Sequence, residues 1–113
     1  MKWLLLSLLV PTLVFAADKK KEEPKPDPAT VAAGAKLYME KTCVACHGKD
    51  AKTPIMPDYP RLAGQSAAYA EKQMLDIKSG ARSNGNTAAM KGVMPLVSEA
   101  EIKTLSIYLS SLQ

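Results

Sequence analysis

The sequence has few of the residues that usually hold a small domain together. Its 113 residues include two cysteines, one histidine, one tryptophan and one phenylalanine. Trp3 and Phe15 both lie near the beginning of the chain, so the later part has only tyrosines as large aromatic residues. A domain with so little large apolar material has a thin core and usually needs disulfides, a metal or a bound cofactor. The composition therefore predicts an additional stabilising group.

The charge is too balanced to indicate a nucleic-acid partner. Lysine and arginine total 15 against 11 aspartate and glutamate residues, which gives a net charge of +4. A nucleic-acid-binding surface needs basic residues clustered among aromatic ones, and the sequence has no such cluster. We therefore expect no nucleic acid among its partners.

Long hydrophobic runs are also scarce, and the one present is N-terminal. The run from Trp3 to Phe15 is interrupted by Pro11 and is shorter than the roughly 20 residues of a membrane-spanning helix. Lys2 precedes it and Val14-Phe15-Ala16 ends it, as in a cleaved signal peptide. The pattern predicts a signal at residues 1–16, export to the periplasm and no integral membrane span. An uncleaved anchor is the alternative.

Residues 17–28 are predicted to form a flexible tether. They contain Lys19-Lys20-Lys21, Glu22-Glu23 and three prolines at alternate positions, with nothing apolar to bury. Prolines at this spacing favour an extended, solvated chain. A docking arm for a membrane surface or a partner is the alternative role.

Residues 29–113 are predicted to form one all-α domain. Apolar residues repeat at helical spacing from Thr30 to about Lys41, and again from a cap at Ser66 to a stop at Gly80. Ser98 to Glu101 has the form of a capping box that opens a last helix. No stretch alternates as a strand would. The two connections between these helices are long, and long loops in a compact domain usually have a function. We expect them to wrap around a bound group.

The motif Cys43-Val44-Ala45-Cys46-His47 contains both cysteines and the only histidine of the chain. This pattern is typical of covalent haem attachment. Two cysteines about one helical turn apart can each form a thioether with one of two neighbouring haem vinyl groups. His47 then follows as an axial ligand of the iron. The motif therefore predicts one covalently attached haem c.

Three other interpretations of the motif are weaker. A thioredoxin-like dithiol expects a βαβ context, which the sequence does not show. A zinc site needs four ligands, and no second cysteine or histidine pair exists. A disulfide between Cys43 and Cys46 is compatible with export, but it leaves His47 unexplained.

The sequence resembles the class I c-type cytochromes. The resemblance is closest to small monohaem periplasmic cytochromes and to the domain that occurs twice in their dihaem relatives. It rests on the haem motif and on a middle section formed by residues 59–65, 72–80 and 82–84, and it covers residues 29–113. It implies an all-α class I cytochrome c fold, with about three main helices and long loops around one haem. It further implies a one-electron carrier rather than an enzyme.

The resemblance also implies roles for several residues around the haem. The carbonyl of Pro60 would accept a hydrogen bond from His47, Leu62 would pack on the haem face, and Arg61 would pair with a haem propionate. Ordinary loop or surface positions are the alternatives. Gly34 and Tyr38 would allow the first and last helices to cross closely.

The sixth iron ligand is expected to be a methionine, because no second histidine exists. Ligation by histidine and methionine raises the reduction potential of a haem. Met90 and Met94 lie in the second long loop, ahead of the last helix. The family's ligand resembles Met90 in its distance from the helix cap at Ser98. Met94, which precedes Pro95, is the alternative. The other methionines after the signal are less suitable by position: Met39, Met56 and Met74.

These features together predict a periplasmic electron carrier. Its redox partner proteins would be respiratory-chain or dehydrogenase donors, often membrane-bound, and a terminal oxidase or reductase, and the carrier itself would be a monomer. An open-iron haem enzyme or gas sensor is the alternative if neither methionine binds the iron. A thiol protein without haem is the third possibility.

Overall fold

A computed structural model describes residues 25–113 together with residues 11, 14 and 23. The predicted signal peptide and most of the predicted tether therefore lie outside the described residues. Among the residues that are described, no helix is long and apolar enough to cross a membrane.

The described part of the chain is all-helical and contains no strand, which confirms the predicted fold class. Three helices of 13 residues form the frame, and three shorter ones lie between them. In chain order the helices are α1 (Pro28–Glu40), α2 (Cys43–His47), α3 (Ala67–Ser79), α4 (Thr87–Lys91), a 3₁₀ helix (Met94–Leu96) and α5 (Glu99–Ser111).

Helix α1 begins two residues earlier than its apolar spacing predicts. The Asp27 carboxylate accepts a hydrogen bond from the Thr30 amide at 2.9 Å, and Pro28 occupies the first turn. Both are typical of a helix start, since proline has no amide to leave unpaired there. The end of the predicted tether is thus the cap of the first helix.

The predicted boundaries of α3 and α5 are confirmed by their capping contacts. Ser66 Oγ accepts from the Tyr69 amide at 3.1 Å, and Gly80 ends α3 in the left-handed conformation with φ +87°. Ser98 and Glu101 form the reciprocal contacts of a capping box, with N···O distances of 3.2 and 2.9 Å.

The two long connections are more ordered than the sequence predicts. The second one contains α4 and the 3₁₀ helix. The first folds around Ala51, which is fully buried and has a φ of +56°. The Ala51 carbonyl accepts hydrogen bonds from the amides of Leu62 and Ala63 at 2.9 and 3.0 Å. The returning half of this loop is thereby fixed against its beginning.

Helices α1 and α5 cross at Gly34. A Cβ atom added to Gly34 would lie 2.3 Å from Tyr108 Cβ and 3.0 Å from the Thr104 carbonyl oxygen. The Tyr38 and Tyr108 rings pack beside this point with centroids 5.7 Å apart. Only glycine allows this separation, so the crossing is determined by one residue, as the resemblance implied.

We expect Gly34→Ala to lower the free energy of unfolding by about 2 kcal/mol, measured by guanidinium titration of the haem-containing protein. Overpacking at backbone contact distance outweighs the roughly 1 kcal/mol that alanine gains in helix propensity. Gly92→Ala is the matched control, because a Cβ there meets only the Ala89 carbonyl at 3.8 Å and φ is −76°. It should be neutral or stabilising, and equal destabilisation by both variants would contradict the steric explanation.

Candidate functional site

A cavity of about 520 Å³ lies within the helical frame. It is lined by residues of all five α-helices and of both long connections, so the whole described domain contributes to its wall. Every residue that the sequence analysis assigned to the haem site lines it: Cys43, Cys46, His47, Pro60, Arg61, Leu62, Met90 and Met94.

Helix α2 presents the two cysteines to the cavity. It follows α1 after a sharp turn, in which Thr42 has a left-handed backbone with φ 64°. Cys43 and Cys46 are half-buried and are not bonded to each other. Burial raises the pKa of the Cys43 thiol. Dithiol oxidoreductases instead depend on a lowered thiol pKa, so this environment argues against a thioredoxin-like role.

His47 is buried at the end of α2, with 7% of its surface exposed. Burial lowers the pKa of its imidazole, which favours the neutral form that binds metals. The Pro60 carbonyl has the opposite effect and raises the pKa of the imidazole. No hydrogen bond of normal distance and angle joins this carbonyl to Nδ1. Nδ1 is a buried side-chain polar atom without a partner in the described part of the chain.

These residues fit a c-type haem. Two thiols, one buried neutral imidazole and thioether side chains surround a single cavity, and these are the donor types that hold haem c. A histidine that binds a metal usually donates its other ring N–H to a carbonyl or carboxylate, and the Pro60 carbonyl, which acts on the pKa of His47, is a group of this kind beside it.

The structure reduces the number of candidate methionines. Met39 and Met56 are 57% and 47% exposed, and neither lines the cavity. Met74 lies half-buried on α3, packs against the core and also borders the cavity, from the side of the middle helix. Met90 is half-buried on α4, and Met94 is 2% exposed within the core. Met90 and Met94 both border the cavity from the second connection.

Arg82 is a cavity residue that the sequence analysis did not assign to the site. It is half-buried, and its Nη1 donates to Gln73 Oε1 at 2.9 Å while its amide donates to the Asp76 carbonyl at 3.0 Å. Arg61, the predicted propionate partner, also borders the cavity but is exposed. In the sequence, the local signal for a cavity residue here is the position of Arg82 just after the helix stop at Gly80, where the chain turns back.

Tyr38 connects helix α1 to the end of the haem motif on α2 through a hydrogen bond. Its hydroxyl donates to the carbonyl of Gly48, the residue after His47, at 2.6 Å. Burial raises the pKa of this phenol well above its usual value, so the hydroxyl remains a donor. The α1–α5 crossing is therefore linked directly to the end of α2.

Comparison with known proteins agrees with this geometry. Residues 31–113 match the family model described as Cytochrome c. The chain is 41% identical over 70 residues to cytochrome c-554(548) of Halomonas halodenitrificans, covering 62% of this chain and 83% of the relative. It is 34% identical over 91 residues to the thiosulfate dehydrogenase electron acceptor of Stutzerimonas stutzeri, covering 74% and 41%.

A solved structure shares the fold. Reduced recombinant cytochrome c4 from Pseudomonas stutzeri superimposes with a TM-score of 0.69 at 33% identity, covering 81% of this chain and 53% of that one. The chain thus spans about half the length of the cytochromes c4 that it matches.

We expect Tyr38→Phe to lower the free energy of unfolding by about 1 kcal/mol, because it leaves the Gly48 carbonyl without its donor. Tyr69→Phe is the matched control, since Tyr69 is 54% exposed, and it should change stability by less than about 0.5 kcal/mol. Denaturant unfolding of both haem-containing variants measures the difference. Equal stabilities would show that the Tyr38 hydroxyl contributes nothing.

Proposed function

Because the chain belongs to the cytochrome c family, we propose that it is a one-electron carrier whose haem iron is bound by His47 and Met90. The observation that supports this most strongly is the shared cavity. The attachment motif on α2 and a methionine on α4 border the same space.

Membership of the family implies one covalently attached haem c, and the motif fits it. Cys43 and Cys46 would form the thioethers, and His47 would supply the first axial nitrogen. When bound, haem c supplies a ferric/ferrous couple whose potential is raised by His/Met ligation. The protein's own contribution is to orient the imidazole and to exclude water with apolar side chains such as Leu62.

Met90 is the better candidate for the second axial ligand. Met94 is nearly fully buried among Val97, Ile102 and other core residues, so moving its side chain to the iron would leave a hole in the core. Met90 is only half-buried and is held on α4, where its carbonyl accepts from the Val93 amide at 3.0 Å. The sequence resemblance indicates the same residue.

Arg61 and Arg82 are suited to the haem carboxylates. Both border the cavity, and the contact of Arg82 with Gln73 uses only one of its five N–H donors. Arginine binds a carboxylate through two parallel hydrogen bonds, which makes it an appropriate partner for a propionate. The half-buried Arg82 would be less screened by solvent than the exposed Arg61.

With His47 and Met90 as ligands, the iron would have no open position for a substrate, so the role proposed is electron transfer and not catalysis. The proposed location is the periplasm, based on the signal-like residues 1–16. The proposed partners are respiratory or dehydrogenase donors and a terminal oxidase or reductase, and the name of one relative, a thiosulfate dehydrogenase electron acceptor, supports a dehydrogenase as donor.

Visible spectroscopy tests the electron-carrier role. The full chain is expressed in a host that attaches haem to exported proteins, and spectra are recorded in both redox states and with carbon monoxide. We expect sharp low-spin bands, a weak near-red band from the methionine–iron bond in the ferric state, and no carbon monoxide binding. A high-spin spectrum that changes with carbon monoxide would instead support an open-iron enzyme or gas sensor.

Met90→Ala should abolish the near-red band and open the ferrous iron to carbon monoxide. Met94→Ala is the matched control: it should keep the band and lower the free energy of unfolding by about 2–4 kcal/mol, as expected for a buried methionine. The opposite result, with the band lost only in Met94→Ala, would make Met94 the ligand.

A further inference from the structure

Two lysines from distant parts of the chain converge on the segment that follows α4. Lys78 Nζ donates to the carbonyls of Met94, at 3.5 Å, and Val97. Lys41 Nζ donates to the Leu96 carbonyl at 2.8 Å. We call these two ammonium groups with the carbonyls of Met94, Leu96 and Val97 the lysine clamp.

The carbonyls in the lysine clamp come from the 3₁₀ helix and its cap: Met94 is the first residue of the helix, Leu96 the last and Val97 the C-cap. The last carbonyls of a helix have no partner within it, and cations stabilise this negative end. Here the Met94 carbonyl accepts a hydrogen bond from the Val97 amide at 3.1 Å, whereas the carbonyls of Leu96 and Val97 accept no hydrogen bond within the helix. The lysines therefore supply charge-assisted hydrogen bonds to groups that need donors.

The lysine clamp connects three elements. Lys41 is the C-cap of α1, and Lys78 lies in the last turn of α3. The segment they hold joins α4, which carries Met90, to α5, and Met94 and Val97 on it are 2% and 1% exposed. Met90 therefore lies just before, and Met94 on, a stretch whose backbone is fixed from two sides.

The two lysines differ in whether they have partners other than these carbonyls. The Lys41 ammonium group contacts both the Leu96 carbonyl and the Glu101 carboxylate, with which it forms an ion pair at 3.4 Å. Lys78 is half-buried and takes part in no ion pair within the described ranges. Its charge is directed at the segment alone, whereas Lys72 on the same helix is exposed and pairs with Asp76 at 2.7 Å.

We propose that Lys78 is a positioning residue for the methionine ligand: its ammonium group holds the segment after α4 so that the thioether stays at the iron. This inference rests on the proposed function, because it assumes that a methionine from this region is the ligand. Without the ammonium group the segment would open more easily, and an external ligand would compete better for the iron.

The test is imidazole titration of the ferric haem-containing protein, followed by the near-red band. Lys78→Met keeps the aliphatic stem and removes the charge, and we expect it to bind imidazole about tenfold more tightly than the native protein. Lys78→Arg restores a cationic donor and should return the affinity most of the way to the native value. Lys72→Met removes the same charge from an exposed position on α3 and should leave the affinity unchanged.

Gly34→Ala serves as a second control, because it destabilises the domain at the α1–α5 crossing without touching the lysine clamp. If it increases imidazole affinity as much as Lys78→Met does, the effect reflects global stability and the positioning role is overturned. Unchanged affinity in Lys78→Met also overturns it while leaving methionine ligation intact. A native protein without the near-red band overturns the ligation proposal and the positioning role together.

A measurement on the native protein avoids dependence on the folding of a variant. Amine acetylation of the haem-containing chain, followed by peptide mass spectrometry, should modify Lys78 at least about tenfold more slowly than Lys72, because the Lys78 ammonium is half-buried and bound to carbonyls. Equal rates would mean that the lysine clamp does not form in solution, and would overturn the proposal.

Discussion

The contact at Gly34 is the constraint on which the rest of the domain depends. Because no side chain separates α1 from α5 there, the two helices pack at backbone distance. The end of α1 then leads through a two-residue turn into the cysteines of α2, and Tyr38 of α1 bonds to the residue after His47. Lys41 at the same end holds the segment beyond α4. One close crossing thus positions the attachment motif, whereas the connection that carries Met90 and Met94 is held by the lysine clamp.

The parts of the fold that sequence reasoning identified are those encoded locally. The caps at Ser66 and Ser98 and the stop at Gly80 act within one turn of their helix, so their sequence patterns suffice. Helix α4 and the 3₁₀ helix were missed because five or three residues carry no measurable apolar period. The start of α1 was placed two residues late because the Asp27-Pro28 cap lies in a stretch that otherwise resembles a solvated tether.

The site divides in the same way. The haem motif is contiguous, and it identifies three residues without any structure. Lys41 and Lys78 contact carbonyls 55 and 19 residues away, and such contacts leave no pattern in the sequence. The orientation of Arg82 depends on Gln73, nine residues earlier on α3, and its half-burial becomes visible only once the chain has folded back. Between Met90 and Met94, burial adds an argument that spacing alone did not supply.

The backbone at Ala51 has a consequence for which sequences this loop can accept. Its left-handed conformation disfavours most side chains, and one larger than a methyl group would have to displace the buried neighbours of Ala51. Glycine would relieve about 1 kcal/mol of backbone strain but would give up a buried methyl of similar value. We therefore expect alanine and glycine to be nearly equivalent at position 51 and larger residues to be strongly disfavoured, although the residue is not part of the haem motif.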